Sequence, residues 1–304
     1  LDEDQRRQVG LAELTARIAG RVPDDDSVEV LPGVRLNRDS QAAEVGHSVS
    51  TPVLCLIAQG VKEWLLGDRT YRYDRDHYLI ATAELPVATR VVEATPEAPY
   101  LGVVIALDPD LVRSVILETG HMPGKGPVAA VDMGHVDAEL LDAVVRLVRL
   151  AETPEGAPFL APLIKREIIY RLLEGNQGDR LWQGTRLAGS GHRIVEGIQR
   201  IRREYDRPLR IEDQARDLGM SSSAFHLHFK AVTGMSPLAF QKQLRLQEAR
   251  RLMLGEGVDA AGAGIAVGYR DVSQFTREYK RVFGAPPATD VAQARHAMQL
   301  AGSR

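Results

Sequence analysis

The stretch Ala215-Arg216-Asp217-Leu218-Gly219 is followed later in the chain by a similar stretch, Gly264-Ile265-Ala266-Val267-Gly268. Each copy is typical of the turn of a helix-turn-helix. A small residue four positions before a glycine lets two helices cross closely, and glycine readily adopts the positive φ of the turn. The two glycines, Gly219 and Gly268, lie 49 positions apart. Internal repetition of this kind predicts that the C-terminal third of the chain contains two similar helical units.

Aromatic residues follow both turns in register. Phe225, Phe229 and Val232 have the spacing of a buried helix face, so we expect helices over Ile211 to Asp217 and Ser221 to Val232. In the second copy Phe275, Tyr279 and Val282 take the inward positions. The residues after the second turn lie 50 positions from their counterparts, so the second turn should be one residue longer. The paired positions are Phe225 and Phe275, Phe229 and Tyr279, Gly234 and Gly284, and Pro237 and Pro287.

The opposite faces of these helices carry polar and basic side chains. Arg and Gln suit bidentate hydrogen bonds to guanine and adenine, whereas Lys and Ser suit phosphate contacts. Any surface helix carries such residues, so these faces indicate DNA binding only together with the repeat. His226 and His228 lie two positions apart, point to different faces and therefore do not form a metal pair. The predicted DNA-contacting residues are Ser222, Ser223, His226, Leu227, Lys230, Ser273, Gln274, Arg277, Lys280 and Arg281.

The charge is unevenly distributed along the 304 residues. Residues 190–304 carry 18 Lys+Arg and 12 Asp+Glu, whereas the rest of the chain carries 20 and 29. A basic segment beside an acidic one favours a nucleic-acid-binding module attached to a domain that avoids DNA. One cysteine, Cys55, excludes an internal disulfide framework. The polar N-terminus and the lack of a long apolar run lead us to expect a cytoplasmic protein without a membrane anchor.

The N-terminal part shows the pattern of short strands followed by helices. A helix is expected from Gln8 to Gly20, and about seven strands within residues 28–106 suggest a sandwich or barrel. Helices should begin after Asp108, run from Asp137 to Ala151, and cover Pro162 to Glu174, either packing on the barrel or forming a dimer interface. Glycines predict a linker at 181–191 between domains at 1–180 and 192–304. The predicted strands are Val28–Val30, Val53–Ala58, Glu63–Leu66, Thr70–Tyr73, Tyr78–Ala81, Thr89–Val92 and Tyr100–Leu107.

Three stretches of the C-terminal domain resemble the DNA-binding domain of AraC/XylS-type regulators: 221–238, 241–252 and 267–287. The resemblance implies seven helices with two helix-turn-helix units on a shared helix, which would enter successive major grooves about 34 Å apart. It also implies a base-facing set, which comprises Ser223, His226, Leu227, Ser273, Gln274 and Arg277.

Departures from the family pattern concern the supporting helices. Arg210 stands where a hydroxyl cap is usual, Gly262 and Gly264 lie in the second supporting helix, and Val272 replaces a proline. We expect weaker capping of the first unit and, because glycine disfavours helix, a softer second unit.

The N-terminal domain also resembles a known element, the N-terminal domain of one subgroup of AraC-type regulators. Residues 52–62, 67–73, 84–87 and 96–101 carry this resemblance. It implies a cupin-like β-barrel with helices, used for effector binding and dimerisation, and so an α+β protein. Cys55 is a candidate thiol sensor, although a Cys in an apolar strand is usually inert. Strand position suggests the effector-binding candidates Cys55, Gln59, Lys62, Trp64, Tyr78, Glu84 and Arg90.

These features together predict a homodimeric transcription factor that binds double-stranded promoter or operator DNA. It would respond to a small-molecule effector and contact RNA polymerase, as an activator or a repressor according to the position of its site. We expect no catalytic residues, metal or cofactor, since the barrel has no His-x-His and the chain shows no Ser-His-Asp pattern or phosphate loop. The alternatives are a cupin-type enzyme or ligand-binding protein with a helical appendage, and an effector-independent regulator.

Overall fold

The computed structural model describes residues 2–43, 45–67, 69–121, 128–188 and 193–302. The chain divides into two compact units, which comprise residues 1–192 with 231–234, and residues 193–230 with 235–304. The first unit contains antiparallel β-sheets with helices, and the second is helical. The predicted α+β fold class is therefore confirmed.

The β structure of the N-terminal domain forms two antiparallel sheets. The six-stranded sheet has the order β1-β2-β9-β4-β7-β10, and the four-stranded sheet has the order β3-β8-β5-β6. The described residues thus contain ten strands, and the expected seven omitted β2, β3 and β10. The strands are β1 (Asp26–Leu31), β2 (Val34–Asp39), β3 (Gly46–Ser50), β4 (Val53–Gln59), β5 (Val61–Leu66), β6 (Arg69–Tyr73), β7 (His77–Ala81), β8 (Leu85–Glu93), β9 (Tyr100–Ala106) and β10 (Val131–His135).

The hairpin between β5 and β6 is confirmed. Leu66 pairs with Arg69, which leaves a two-residue loop of the kind that Gly-Asp favours. The second loop residue, Asp68, lies outside the described residues.

Helices of this domain pack on one face of the six-stranded sheet. Leu14 and Ile18 of the first helix join strand residues such as Leu54 and Val103 in one buried apolar core. Asp108 caps the second helix, whose first residue is Pro109, as expected from the sequence. No helix in the described ranges is long and apolar enough to cross a bilayer. The helices are α1 (Glu3–Arg21), α2 (Pro109–Thr119), α3 (Ala138–Arg149), α4 (Ala157–Glu174) and α5 (Gly178–Ala188).

Helix α5 corrects the linker predicted at 181–191. The chain is helical through Ala188, and Leu181 is buried in the N-terminal core; residues 189–191 lie outside the described residues. The nearby glycines suggested a loop, but Leu181 and Trp182 give this segment an apolar face that the core buries.

Seven helices make up the described part of the C-terminal domain, as the resemblance implies. Helices α7 and α8 form the first helix-turn-helix unit, and α10 and α11 the second. Residues 218–221 separate the first pair and residues 267–271 the second, so the second turn is one residue longer, as predicted. The helices are α6 (Arg193–Arg203), α7 (Ile211–Asp217), α8 (Ser222–Thr233), α9 (Pro237–Gly255), α10 (Ala260–Ala266), α11 (Val272–Phe283) and α12 (Pro287–Gly302).

Both turns depend on their glycine. Gly219 has φ of 62° and Gly268 has φ of 86°, in the left-handed region that disfavours residues with a Cβ. A Cβ on Gly268 would also lie 1.9 Å from the carbonyl oxygen of Asp206. The second turn thus excludes a side chain for two reasons, whereas the first turn excludes it mainly through φ.

Helix α9 joins the cores of the two helix-turn-helix units. Near its start Phe240 packs edge-to-face against Phe229 of α8, with ring centroids 5.3 Å apart. Farther along, Leu246, Ala249 and Met253 belong to the apolar core of the second unit. One continuous helix therefore carries both helix-turn-helix units.

Candidate nucleic-acid interface and ligand cavity

Helix α8 separates a buried aromatic face from a polar outer face. Phe225 and Phe229 are fully buried, with ring centroids 5.6 Å apart. The hydroxyl of Ser221 accepts from the backbone N–H of Ala224 at 3.2 Å and so caps the helix. His228 is half-buried, whereas His226 is exposed. Of the predicted contacts, Ser222 is half-buried, and the exposed ones are Ser223, His226, Leu227 and Lys230.

Leu227 is the unusual member of this face. Its side chain is 69% exposed, although a helix position that faces water does not favour an apolar side chain. An exposed leucine on a predicted reading face suits contact with a thymine methyl group.

Helix α11 repeats this arrangement with more basic side chains. Phe275 and Tyr279 are fully buried, and the carboxylate of Asp271 accepts from the backbone N–H of Ser273 at 2.7 Å to cap the helix. Within the described residues, Arg277 has no ion-pair or hydrogen-bond partner. The predicted contacts on this helix are all exposed, and they are Ser273, Gln274, Arg277, Lys280 and Arg281.

The supporting helices differ in how they begin. Arg210 occupies the N-cap of α7 and makes no side-chain cap hydrogen bond within the described residues, which confirms the expected weaker capping of the first unit. In α10 the carboxylate of Asp259 accepts from the N–H of Gly262 at 2.7 Å. Gly264 allows close packing, because a Cβ there would lie 3.0 Å from the ring of Phe275. That the second unit is softer stays a prediction.

A cavity of about 420 Å³ lies between the two sheets of the N-terminal domain. Cys55 of β4 lines it from the six-stranded sheet, and Lys62 and Trp64 of β5 line it from the four-stranded sheet. Three of the seven effector-binding candidates therefore line the same cavity.

The other four candidates do not line this cavity. Gln59 follows an irregularity in β4, lines a separate pocket of about 560 Å³ beside α1, and donates to the carbonyl of Pro99 at 2.9 Å. Tyr78 belongs to the core beneath the helices, since side chains on a strand alternate between faces. Arg90 follows the cavity-lining Thr89, so it points the other way and pairs with Glu63 at 2.7 Å. Glu84 precedes β8 and does not contribute to the wall.

The buried thiol of Cys55 is poorly suited to act as a reactive sensor. Burial raises the pKa of Cys55 to about 11, although the nearby Lys62 favours the thiolate. Since the thiolate is the nucleophile, this site disfavours attack on aldehydes or oxidants near neutral pH.

Two residues that line the cavity also carry buried polar atoms without hydrogen-bond partners in the described part of the chain. Asn37 accepts from the hydroxyl of Ser27 through its carbonyl oxygen at 2.6 Å, but its buried Nδ2 has no hydrogen-bond partner among the residues that the structure describes. The buried hydroxyl of Ser50 has none either. Both side chains line the cavity, and the ammonium of Lys62 lies 5.2 Å from the centroid of the Tyr100 ring. Asn37 and Ser50 lie on β2 and β3, two strands that the sequence pattern did not predict, so neither residue was among the effector-binding candidates.

No group of three or more His, Cys, Asp or Glu side chains that could hold a metal ion occurs in the described ranges.

Comparison with known proteins relates both domains to one family. Residues 30–180 match the AraC-type transcriptional regulator N-terminus, and residues 214–293 match a helix-turn-helix domain family. The regulator ArgR of Pseudomonas aeruginosa is 23% identical over 149 residues, which are 49% of this chain and 45% of that protein. The regulator ExsA of the same species is 28% identical over 150 residues, 49% of this chain and 53% of that protein. The chain thus spans about half the length of these curated relatives.

Solved structures of ToxT from Vibrio cholerae share the fold. One matches with a TM-score of 0.53 at 12% identity and covers 85% of this chain and 97% of that one. Another, with a bound unsaturated fatty acid, matches with a TM-score of 0.50 at 9% identity and covers 87% and 96%. At these identities the likeness concerns the fold alone. The matched regions, residues 30–180 and 214–293 in this order, show that the chain belongs to the AraC family of transcription regulators.

Proposed function

We propose that this protein is a sequence-specific DNA-binding regulator of transcription, in which the outer faces of α8 and α11 read the major groove. The observation that carries the proposal is the repeated geometry. Two helices present exposed polar faces at equivalent positions, and both are held by α9. Family membership supports it, since the matched relatives are named as regulators.

The side chains on α8 and α11 indicate which helix recognises bases and which contacts phosphates. Arg277 and Gln274 on α11 can each make two hydrogen bonds to a base edge, whereas Lys280 and Arg281 suit phosphates. The first helix offers His226 and Leu227 instead of such bidentate groups. We therefore assign most direct base recognition to the second unit.

Selection of duplexes from a random pool by the full chain tests this function. Affinity for a selected duplex should exceed that for unselected duplex and should fall steeply with salt, because phosphate contacts release counterions. Arg277→Ala should cost about 1–3 kcal/mol and relax one base position. The matched control is Arg113→Ala, on α2 of the N-terminal domain, where the arginine pairs with Asp110. Equal binding to selected and unselected duplexes would refute the proposal.

The second part of the proposal is that the cavity between the sheets binds a small-molecule effector. Its volume lies in the usual range for ligand sites. The ammonium of Lys62, together with the polar side chains of Asn37 and Ser50 in the cavity lining, favours a ligand with acceptor oxygens. Trp64 and Val104 offer an apolar surface for the rest of that ligand.

A ligand screen tests this part. Carboxylates with apolar bodies are the compounds to try first, and binding can be followed by the fluorescence of Trp64. A ligand at one hundred times its Kd should stabilise the protein by about 2.7 kcal/mol. Lys62→Met should weaken binding, whereas Arg90→Met, which alters a residue outside the cavity, should not. Binding that is equally strong in Lys62→Met would place the ligand elsewhere.

The third part is that the protein acts as a homodimer through α4. This helix exposes Phe159 at 75% and Leu163 at 51%, one turn apart, and Tyr170 at 44%. Apolar residues exposed at helical spacing are typical of a surface that a partner covers. In a symmetric dimer this face of α4 would pack against the same face of the second protomer. The dimer would then present two copies each of α8 and α11 to DNA.

A further inference from the structure

Glu278 on α11 lies at the centre of a small hydrogen-bond cluster. The hydroxyl of Tyr269 donates to its Oε2 at 2.8 Å, and the ammonium of Lys242 lies 2.9 Å from its Oε1. The amide Nε2 of Gln274 donates to the same Oε1 at 3.2 Å. These four residues come from α9, the turn before α11, and α11 itself.

The carboxyl group of Glu278 is held in its ionised form. Its side chain is 17% exposed, and burial alone would raise its pKa. The hydrogen bonds from Lys242, Tyr269 and Gln274 outweigh burial and hold the pKa of Glu278 below its usual range. At neutral pH the group is therefore a carboxylate, which accepts hydrogen bonds but donates none.

This restricts the amide of Gln274 to one orientation. The two ends of a glutamine amide are nearly equivalent in shape, so its orientation is normally set by its partners. A carboxylate partner requires the NH₂ end, which turns Oε1 and the second N–H of Gln274 away from Glu278. An acceptor and a donor side by side match the N6 and N7 positions of adenine in the major groove.

We propose that Glu278 is a positioning residue that fixes the amide of Gln274 for adenine recognition. The proposal rests on the DNA-binding function proposed above and assigns a base preference to one position of the target site. Glu278 acts through Gln274 and does not itself need to contact DNA. The competing explanation is that Glu278 only fastens α11 to α9 through Lys242 and Tyr269.

The test measures base preference, which a fastening role would not change. The probes are a duplex selected by the wild-type full chain and a set of duplexes with each base pair replaced in turn. In Glu278→Gln the neighbouring amide can adopt either orientation, so the preference for adenine at one position should fall at least about twofold, because only about half of the amides are then in the orientation that matches adenine. Preferences at the other positions should stay unchanged. Glu248→Gln removes the same charge from α9, where the glutamate pairs with Arg251, and should leave every preference intact.

A double-mutant cycle completes the test. In a Gln274→Ala background, Glu278→Gln should cause no further loss of base preference. Circular dichroism verifies that each variant is folded. The proposal is overturned if Glu278→Gln weakens binding equally for all duplexes, or if the loss of preference persists without Gln274. If the wild-type protein shows no preference at any position, the DNA-reading function itself fails, which is a separate result.

Discussion

The same substitution at the two turn glycines should have very different effects. Alanine at either position must adopt positive φ, which costs about 1–2 kcal/mol. At Gly219 the new Cβ would meet only the end of the Arg193 side chain at 3.4 Å, and that group can move. Gly219→Ala should therefore cost little more than the backbone term.

At Gly268 the Cβ would lie 1.9 Å from the backbone oxygen of Asp206, which is about 1.5 Å short of ordinary contact. Relieving this clash displaces a backbone segment that Arg245 holds. The guanidinium of Arg245 donates to the carbonyls of Arg207 at 2.8 Å and Gly268 at 3.2 Å. Losing one such charged hydrogen bond costs about 1.5–3 kcal/mol, so Gly268→Ala should cost about 3 kcal/mol or more.

Thermal unfolding followed by circular dichroism at helical wavelengths measures the difference. Gly219→Ala should lower the Tm of the C-terminal domain by about 5–10 °C, and Gly268→Ala by about 15 °C or more. Both tryptophans, Trp64 and Trp182, lie in the N-terminal domain, so tryptophan fluorescence reports that domain separately. Equal shifts for the two variants, or a larger shift for Gly219→Ala, would refute the reasoning.

Further predictions concern the caps, the thiol, the dimer and pH. Arg210→Ser should stabilise the C-terminal domain by about 0.5–1 kcal/mol in urea unfolding, whereas Asp259→Ala should destabilise it by about 1 kcal/mol; opposite signs would contradict the cap assignment. Alkylation of Cys55 in the folded protein should be slow at pH 7 and accelerate towards pH 11, and fast labelling at pH 7 would show an activated thiol. Phe159→Asp should halve the molar mass measured by light scattering, and an unchanged mass would place the dimer contact elsewhere. The folded pKa of Glu278 is lowered, so its stabilisation is present above its ordinary pKa of about 4.3 and is lost as pH falls further; in Glu278→Gln this part of the acid dependence should vanish in denaturation curves.

The helical repeat was predictable because its signals are local. Phe225 and Phe229 have helical spacing, and Gly219 and Gly268 mark the turns within a few residues of the helices they join. Two of the strands that were missed, β3 and β10, lack such signals. β10 pairs with β7 more than forty residues earlier, and β3 contains the sequence Gly-His-Ser-Val-Ser, with one strongly apolar residue.

The cavity was only partly predictable for a related reason. Trp64 lies on the strand predicted at Glu63–Leu66; the structure extends that strand to Val61, so Lys62, two positions before Trp64, shares its face. The alternation Val34-Arg35-Leu36-Asn37 could have revealed β2 and, with it, Asn37. Gln59 was misplaced because an irregularity in β4 changes which face the following residues occupy, and residue spacing alone does not show such a shift.

The continuity of α9 couples distance to rotation. Its 19 residues span about 28 Å, with Phe240 fixed in one core and Leu246 in the next. One residue inserted between them would move the second unit by about 1.5 Å and turn it by about 100°, away from the groove that the first unit defines. Seven inserted residues would nearly restore the angle but add about 10 Å. The length of α9 therefore sets both the distance and the angle between the two helix-turn-helix units. Substitutions in α9 should be tolerated far better than insertions or deletions. A target site with a different spacing would require bent DNA or a helix of different length.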